Sequence, residues 1–155
     1  MERLRHGLCA PQRTPHTMRT LLLATLLLTT RLHGQSAPDD LTAIRATLMD
    51  YIEGTANGQP ERLRRAFHPD FNLYTVNERD SLWVRSGAQY IAGIKEGQAN
   101  DRQGRIISID VEGNAAMAKA EIVVPGWRVF TDYFLLLRYQ GAWRIVQKSY
   151  SWRPL

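Results

Sequence analysis

The stretch from Phe130 to Trp152, FTDYFLLLRYQGAWRIVQKSYSW, leaves a folded chain little choice. Two long apolar and aromatic arms flank Gln140-Gly141, and a glycine is what a two-residue hairpin turn requires. With Tyr139 facing Ala142, one face carries Phe130, Asp132, Phe134, Leu136 and Arg138 opposite Ser151, Ser149, Gln147, Ile145 and Trp143. The other carries Thr131, Tyr133, Leu135 and Leu137 opposite Tyr150, Lys148, Val146 and Arg144. Both faces are too apolar for open water, so each needs a cover. One suits a core with a pocket, the other a second sheet or a second copy of the chain.

At 155 residues the chain is long enough for one domain with its own core. Its net charge of +5 suggests nucleic acid until its distribution is considered. Residues 1–35 hold Arg3, Arg5, Arg13, Arg19 and Arg31 against Glu2 alone, so four of the five net charges sit there and about one remains for the rest. No basic stripe and no nucleic-acid motif is left in the body of the chain, so no nucleic-acid partner is expected. The same segment holds Cys9, the only cysteine, leaving His68 as the one histidine of the body. A lone His makes no zinc site of the usual His/Cys type, and a thiol nucleophile is excluded. No glycine-rich phosphate loop or calcium-loop spacing appears, so no metal and no cofactor is expected.

Thr20 to Thr30 is a short apolar run, preceded by Arg19 and followed by Gly34, Gln35, Ser36 and Ala37. Basic, apolar, small is the order of a secretory signal peptide. The run is shorter than the roughly 20 apolar residues of a membrane span, so none is expected. We therefore expect residues 1–37 to be a leader cleaved near residues 34–38, with export to the periplasm or beyond, and 38–155 to be the domain. Met18 is an alternative start, which would make residues 1–17 an extension.

Asp39 and Asp40 can cap a helix whose inner face is Leu41, Ile44, Leu48, Tyr51, Ile52 and Thr55. Asn57-Gly58 ends it, and Pro60 opens a second, shorter helix that His68-Pro69-Asp70 breaks. Strands follow at Phe71–Val76 and Leu82–Arg85. Ser86 can cap a third helix presenting Tyr90, Ile91 and Ile94 and ending at Gly97. Arg105–Glu112, with Ile107, Ile109 and Val111 on one face, turns at Gly113-Asn114 into Ala115–Val124. The last four strands form an antiparallel meander.

Asp132 is the sharpest chemical candidate. A carboxylate among Phe130, Phe134 and Leu136 loses hydration, which can make it a general base; equally it can be structural, bonded to Ser149, Gln147 or a helix end. His68 can serve as a base near neutrality or pin its turn. Trp83, Tyr90 and Trp143 can line an apolar pocket or fill the core. Lys148 and Arg144 fall on the outer face.

Three stretches carry a family resemblance: YIEGTANGQPERLRRAFHPDFNLYTV (51–76), VEGNAAMAKAEI (111–122) and FTDYFLLLRYQGAWRIVQK (130–148). With the order of elements, they resemble the NTF2-like superfamily, in its putative lumazine-binding or SnoaL-like branch, over about residues 40–152. The resemblance implies an α+β cone, with three helices packed on a curved antiparallel sheet of about six strands. It also implies a pocket at the cone mouth and a homodimer through the sheet's outer face. Tyr51 matches the oxyanion-stabilising tyrosine of ketosteroid-isomerase-like members, although Leu73, Tyr74, Thr75 and Val76 hold no acid where that chemistry keeps its base.

The pocket is therefore expected to comprise Tyr51, Trp83, Tyr90, Phe130, Asp132, Phe134 and Gln147. The leading reading is an exported domain that binds a small, partly apolar molecule without converting it. The alternatives are a lyase or isomerase using Asp132 or His68 as base with Tyr51 as donor, and a dimeric interaction module.

Overall fold

The computed structural model describes residues 37–155, so the expected leader up to residue 36, with Cys9 and Met18, lies outside the described residues. Three helices and six strands follow in the order α1 (Ala37–Ala56), α2 (Pro60–Ala66), β1 (Phe67–Val76), β2 (Leu82–Ser86), α3 (Gly87–Ala92), β3 (Gln103–Glu112), β4 (Ala115–Val124), β5 (Arg128–Tyr139) and β6 (Ala142–Pro154). The strands make one sheet ordered β2-β1-β6-β5-β4-β3. It is mixed rather than wholly antiparallel, because β1 joins β6 in parallel while every other neighbour is antiparallel. Among the described residues no helix is long and apolar enough to cross a membrane.

Helix α1 starts at Ala37, so Asp39 and Asp40 lie in its first turn rather than capping it. Asp40 instead ties the helix to the hairpin, accepting from Trp143 Nε1 at 3.1 Å and pairing with Arg138. Ile44, Leu48, Tyr51, Ile52 and Thr55 are buried along one stripe, whereas Leu41, one turn earlier, is exposed. The stripe packs on one face of the sheet, chiefly against β3 and β6, and shares a core with Ala116, Ala118 and Ala120 of β4. Gly104 permits a close approach: a Cβ there would stand 2.5 Å from Ile52 Cγ2 and 2.8 Å from Ile122 Cδ1.

The Phe130–Trp152 hairpin forms as expected, with Tyr139 opposite Ala142 and left-handed φ angles of 49° and 79° at Gln140 and Gly141. Its far half differs. Val146 is an extra residue on β6, a bulge between the Leu135–Gln147 and Leu136–Ile145 pairs. Because side chains alternate with period two, one inserted residue turns every later side chain to the other face. Phe130, Asp132 and Phe134 therefore face Trp152, Tyr150 and Lys148, not Ser151, Ser149 and Gln147. Ile107 is a second bulge, in β3, and its exposed side chain leaves Ile106 to join Ile109 and Val111 against the core. Bulges of this kind bend a strand and curve a sheet. Helix α3 keeps its Ser86 cap in a capping box with Gln89, but ends at Ala92, capped by Gly93 and short of Gly97.

Candidate functional site

One face of the curved sheet, with α1 and α3, encloses a cavity of about 650 Å³. That lies within the range usual for small-molecule sites. Three side chains from three elements meet at its floor: Tyr51 from α1, Asp132 from β5 and Lys148 from β6. The Tyr51 hydroxyl donates to Asp132 Oδ2 at 2.6 Å and accepts from Lys148 Nζ at 2.7 Å. Lys148 Nζ also stands 2.9 Å from Asp132 Oδ2. Phe134 and Phe67 set the Tyr51 ring edge-on, at centroid distances of 5.3 and 5.6 Å.

The cluster is buried, and its electrostatics follow from that. Burial pushes the Tyr51 phenol well above its usual range, and the Asp132 charge pushes it further. Burial likewise raises Tyr90, to about 12. For Lys148, burial draws the ammonium below its ordinary value while Asp132 opposes the shift. An ammonium has three N–H donors, so Lys148 keeps one beyond those directed at Tyr51 and Asp132. Asp132 Oδ1 is buried and has no hydrogen-bond partner. The floor therefore offers a cationic donor and a carboxylate acceptor side by side.

Of the residues expected here, Tyr51, Trp83, Tyr90, Phe130 and Asp132 line the cavity. The others are corrections. Phe134 is buried behind Tyr51 and supports its ring. Gln147 sits on the convex face, sent there by the Val146 bulge, beside Tyr133 and Leu135 in a shallower depression of about 480 Å³. His68 is not brought to Asp132: its Nδ1 accepts from the Asp70 amide at 3.2 Å, and its ring packs edge-on against Tyr139 beside the hairpin turn. Trp143 is buried in the core and bonded to Asp40. Asp132 bonds neither Ser149 nor Gln147.

Lys148 is the residue that strand alternation assigns to the wrong face; Arg144 stays opposite Leu137, outside. The buried set of β6 runs Trp143, Ile145, Lys148, stepping by three where alternation would step by two. The adjacent apolar pair Ile145-Val146 is the only sequence mark of that step. Arg85, Arg102 and Arg128 also line the cavity, and nothing in their sequence setting singles them out. Among the described residues, no group of three His, Cys, Asp or Glu side chains is placed to hold a metal ion.

A model of the family described as "Putative lumazine-binding" matches residues 39–151. A solved NTF2-like protein of unknown function from Shewanella baltica superposes with a TM-score of 0.70 at 25% identity, covering 79% of this chain and 100% of that one. Another, from Silicibacter pomeroyi, gives 0.68 at 27% identity, covering 76% and 99%. A more distant sequence relative, the aldolase FrzH of a Cladobotryum species, is 22% identical over 113 residues, 72% of this chain and 90% of that protein.

Proposed function

The chain belongs to the putative lumazine-binding family and has the NTF2-like fold, and on that premise we propose that its cavity takes a small, partly apolar carbonyl compound and moves a proton on it, as a cofactor-independent lyase or isomerase. The observation that carries this reading is the Tyr51–Asp132–Lys148 cluster on the cavity floor. Without Lys148 the catalytic set was a base with no charged donor; with it, both halves of proton transfer stand together. In an isomerisation, Asp132 takes the proton from the carbon beside the carbonyl, Lys148 holds the developing enolate oxygen, and the proton returns at another carbon. In a carbon–carbon cleavage, Asp132 takes the proton of a β-hydroxyl as the bond breaks, and Lys148 again holds the enolate. Tyr51 positions both groups. That a relative is named an aldolase supports this class of reaction.

Proton–deuterium exchange at the α-carbons of a panel of ketones and keto acids, followed by NMR, tests the reading. Wild-type protein should catalyse exchange with at least one panel member. Asp132→Asn should slow it by about 10²–10⁴-fold, measured at a temperature where circular dichroism shows this less stable variant still folded. Exchange unchanged in that variant removes Asp132 as base. A covalent adduct on borohydride treatment would instead make Lys148 an amine nucleophile.

A second reading, binding without turnover, is favoured by the cluster's internal pairing: Lys148 and Asp132 already neutralise each other, as a structural ion pair does. A discrete ligand mass lost on unfolding in native mass spectrometry, with no exchange on any panel member, would select it. On either reading we place the domain outside the cytoplasm, on the strength of the basic, apolar, small order around residues 19–37. N-terminal sequencing of the exported protein tests that placement.

A further inference from the structure

The cavity walls hold more positive charge than the floor can neutralise. Arg79, Arg85, Arg102, Arg128 and Lys148 line it, against only two carboxylates, Glu78 and Asp132. Asp132 is committed to Lys148, and Glu78 and Arg79 lie together in the exposed turn after β1. Arg85, Arg102 and Arg128 are left, and each has a buried Nε with no hydrogen-bond partner. The body of the chain is close to neutral, so this excess is local to the cavity.

Two of these guanidinium groups are held in place by aromatic rings. Arg128 Cζ lies 3.8 Å from the ring centroids of both Trp127 and Trp152. Arg85 Cζ lies 4.7 Å from the Tyr90 centroid, and Lys148 Nζ faces the same ring at 5.7 Å. Cation–π contacts fix a guanidinium without using its N–H donors, which stay available to a ligand. Arg102 and Arg85 also act on Lys148, each disfavouring its charged form. Half-buried cations of one sign with idle buried donors make an anion site in waiting, and a planar guanidinium suits a carboxylate.

We propose that the compound taken by this cavity is an organic acid, its carboxylate held by Arg85 and Arg102 beside the Lys148–Asp132 floor and its planar body stacked along Trp83, Phe130 and the Arg128-bearing Trp127–Trp152 wall. This deepens the carbonyl reading and rests on the same cavity being the ligand site; it narrows the substrate class to carbonyl compounds that carry a carboxylate. The carboxylate offsets one of the three uncompensated positive charges in the cavity, which favours its pairing there.

Calorimetric titration with 2-naphthoate and with its neutral counterpart 2-naphthamide tests this without requiring turnover. The acid should bind about tenfold or more tightly than the amide at low salt, and the gap should narrow as salt is raised. Arg85→Met with Arg102→Met should shrink the gap to about threefold or less, whereas Arg85→Lys with Arg102→Lys, which keeps both charges, should retain part of it. Equal affinity for acid and amide would overturn the anion site and leave the cavity as a binding site. A gap that persists in the double Met variant would also overturn it. If neither probe binds at millimolar concentration, the anion site and the cavity reading fall together.

Discussion

The most consequential side chain is Lys148, because it is a cation with almost no water around it. Its partner Asp132 is equally buried, so neither charge has solvent to fall back on. Removing one member of such a pair leaves the other stranded. Lys148→Met should cost about 3–5 kcal/mol of stability in urea melts, and Asp132→Asn added to it should recover much of that loss. Additive losses would show that the two charges do not depend on each other. Tyr90 sets a pH limit by the same physics. Its folded-state pKa of about 12 lies above the unfolded value of about 10, so the unfolded chain releases that proton first. Stability should therefore fall as pH rises from about 10 to 12, by about 2–3 kcal/mol from this residue, and Tyr90→Phe should flatten the decline.

At the scale of elements, two single-residue bulges decide what the sheet presents. The insertion of Val146 places Lys148 and Tyr150 on the cavity face and sends Gln147 and Ser149 outside. The insertion of Ile107 keeps β3 in register with β4 while exposing one isoleucine. Helix α1 must then lie close enough for Tyr51 to reach Asp132, and Gly104 leaves room for Ile52 of that helix against the sheet. Gly104→Ala should destabilise the fold by about 1–3 kcal/mol through overpacking. Pairing it with Ile52→Val does not remove the Cγ2 clash, whereas pairing it with Ile52→Ala should recover part of the loss if overpacking is the cause. Thermal melts of the three variants report this directly.

For the whole molecule, the convex face is the open question, and we propose that a second copy of the chain covers it. Met117, Tyr133, Leu135 and Leu137 are between 43% and 57% exposed, side by side on β4 and β5. A contiguous apolar patch of this kind marks an interaction surface more often than free surface. Sedimentation at micromolar concentration should give a dimer, and Leu135→Asp should give a folded monomer. A monomeric wild type would leave the patch to another partner.

The sequence by itself determined the elements: the α1 stripe, the Ser86 cap, the Gln140-Gly141 turn and the meander all follow from local periodicity and turn chemistry, which neighbouring residues carry. It also marked Asp132, an acid among aromatic residues, and through the family resemblance Tyr51, a tyrosine on an inner helical face. Only the tertiary structure decided that Lys148 joins them, that Gln147 and His68 do not, and that three arginines share one cavity. For Lys148 and Gln147 the reason is register; for His68 and the arginines it is that residues distant in the chain are brought together or kept apart only once the sheet has formed. A bulge arises where two strands must match while the sheet curves, and one slipped residue exchanges the faces of all that follow.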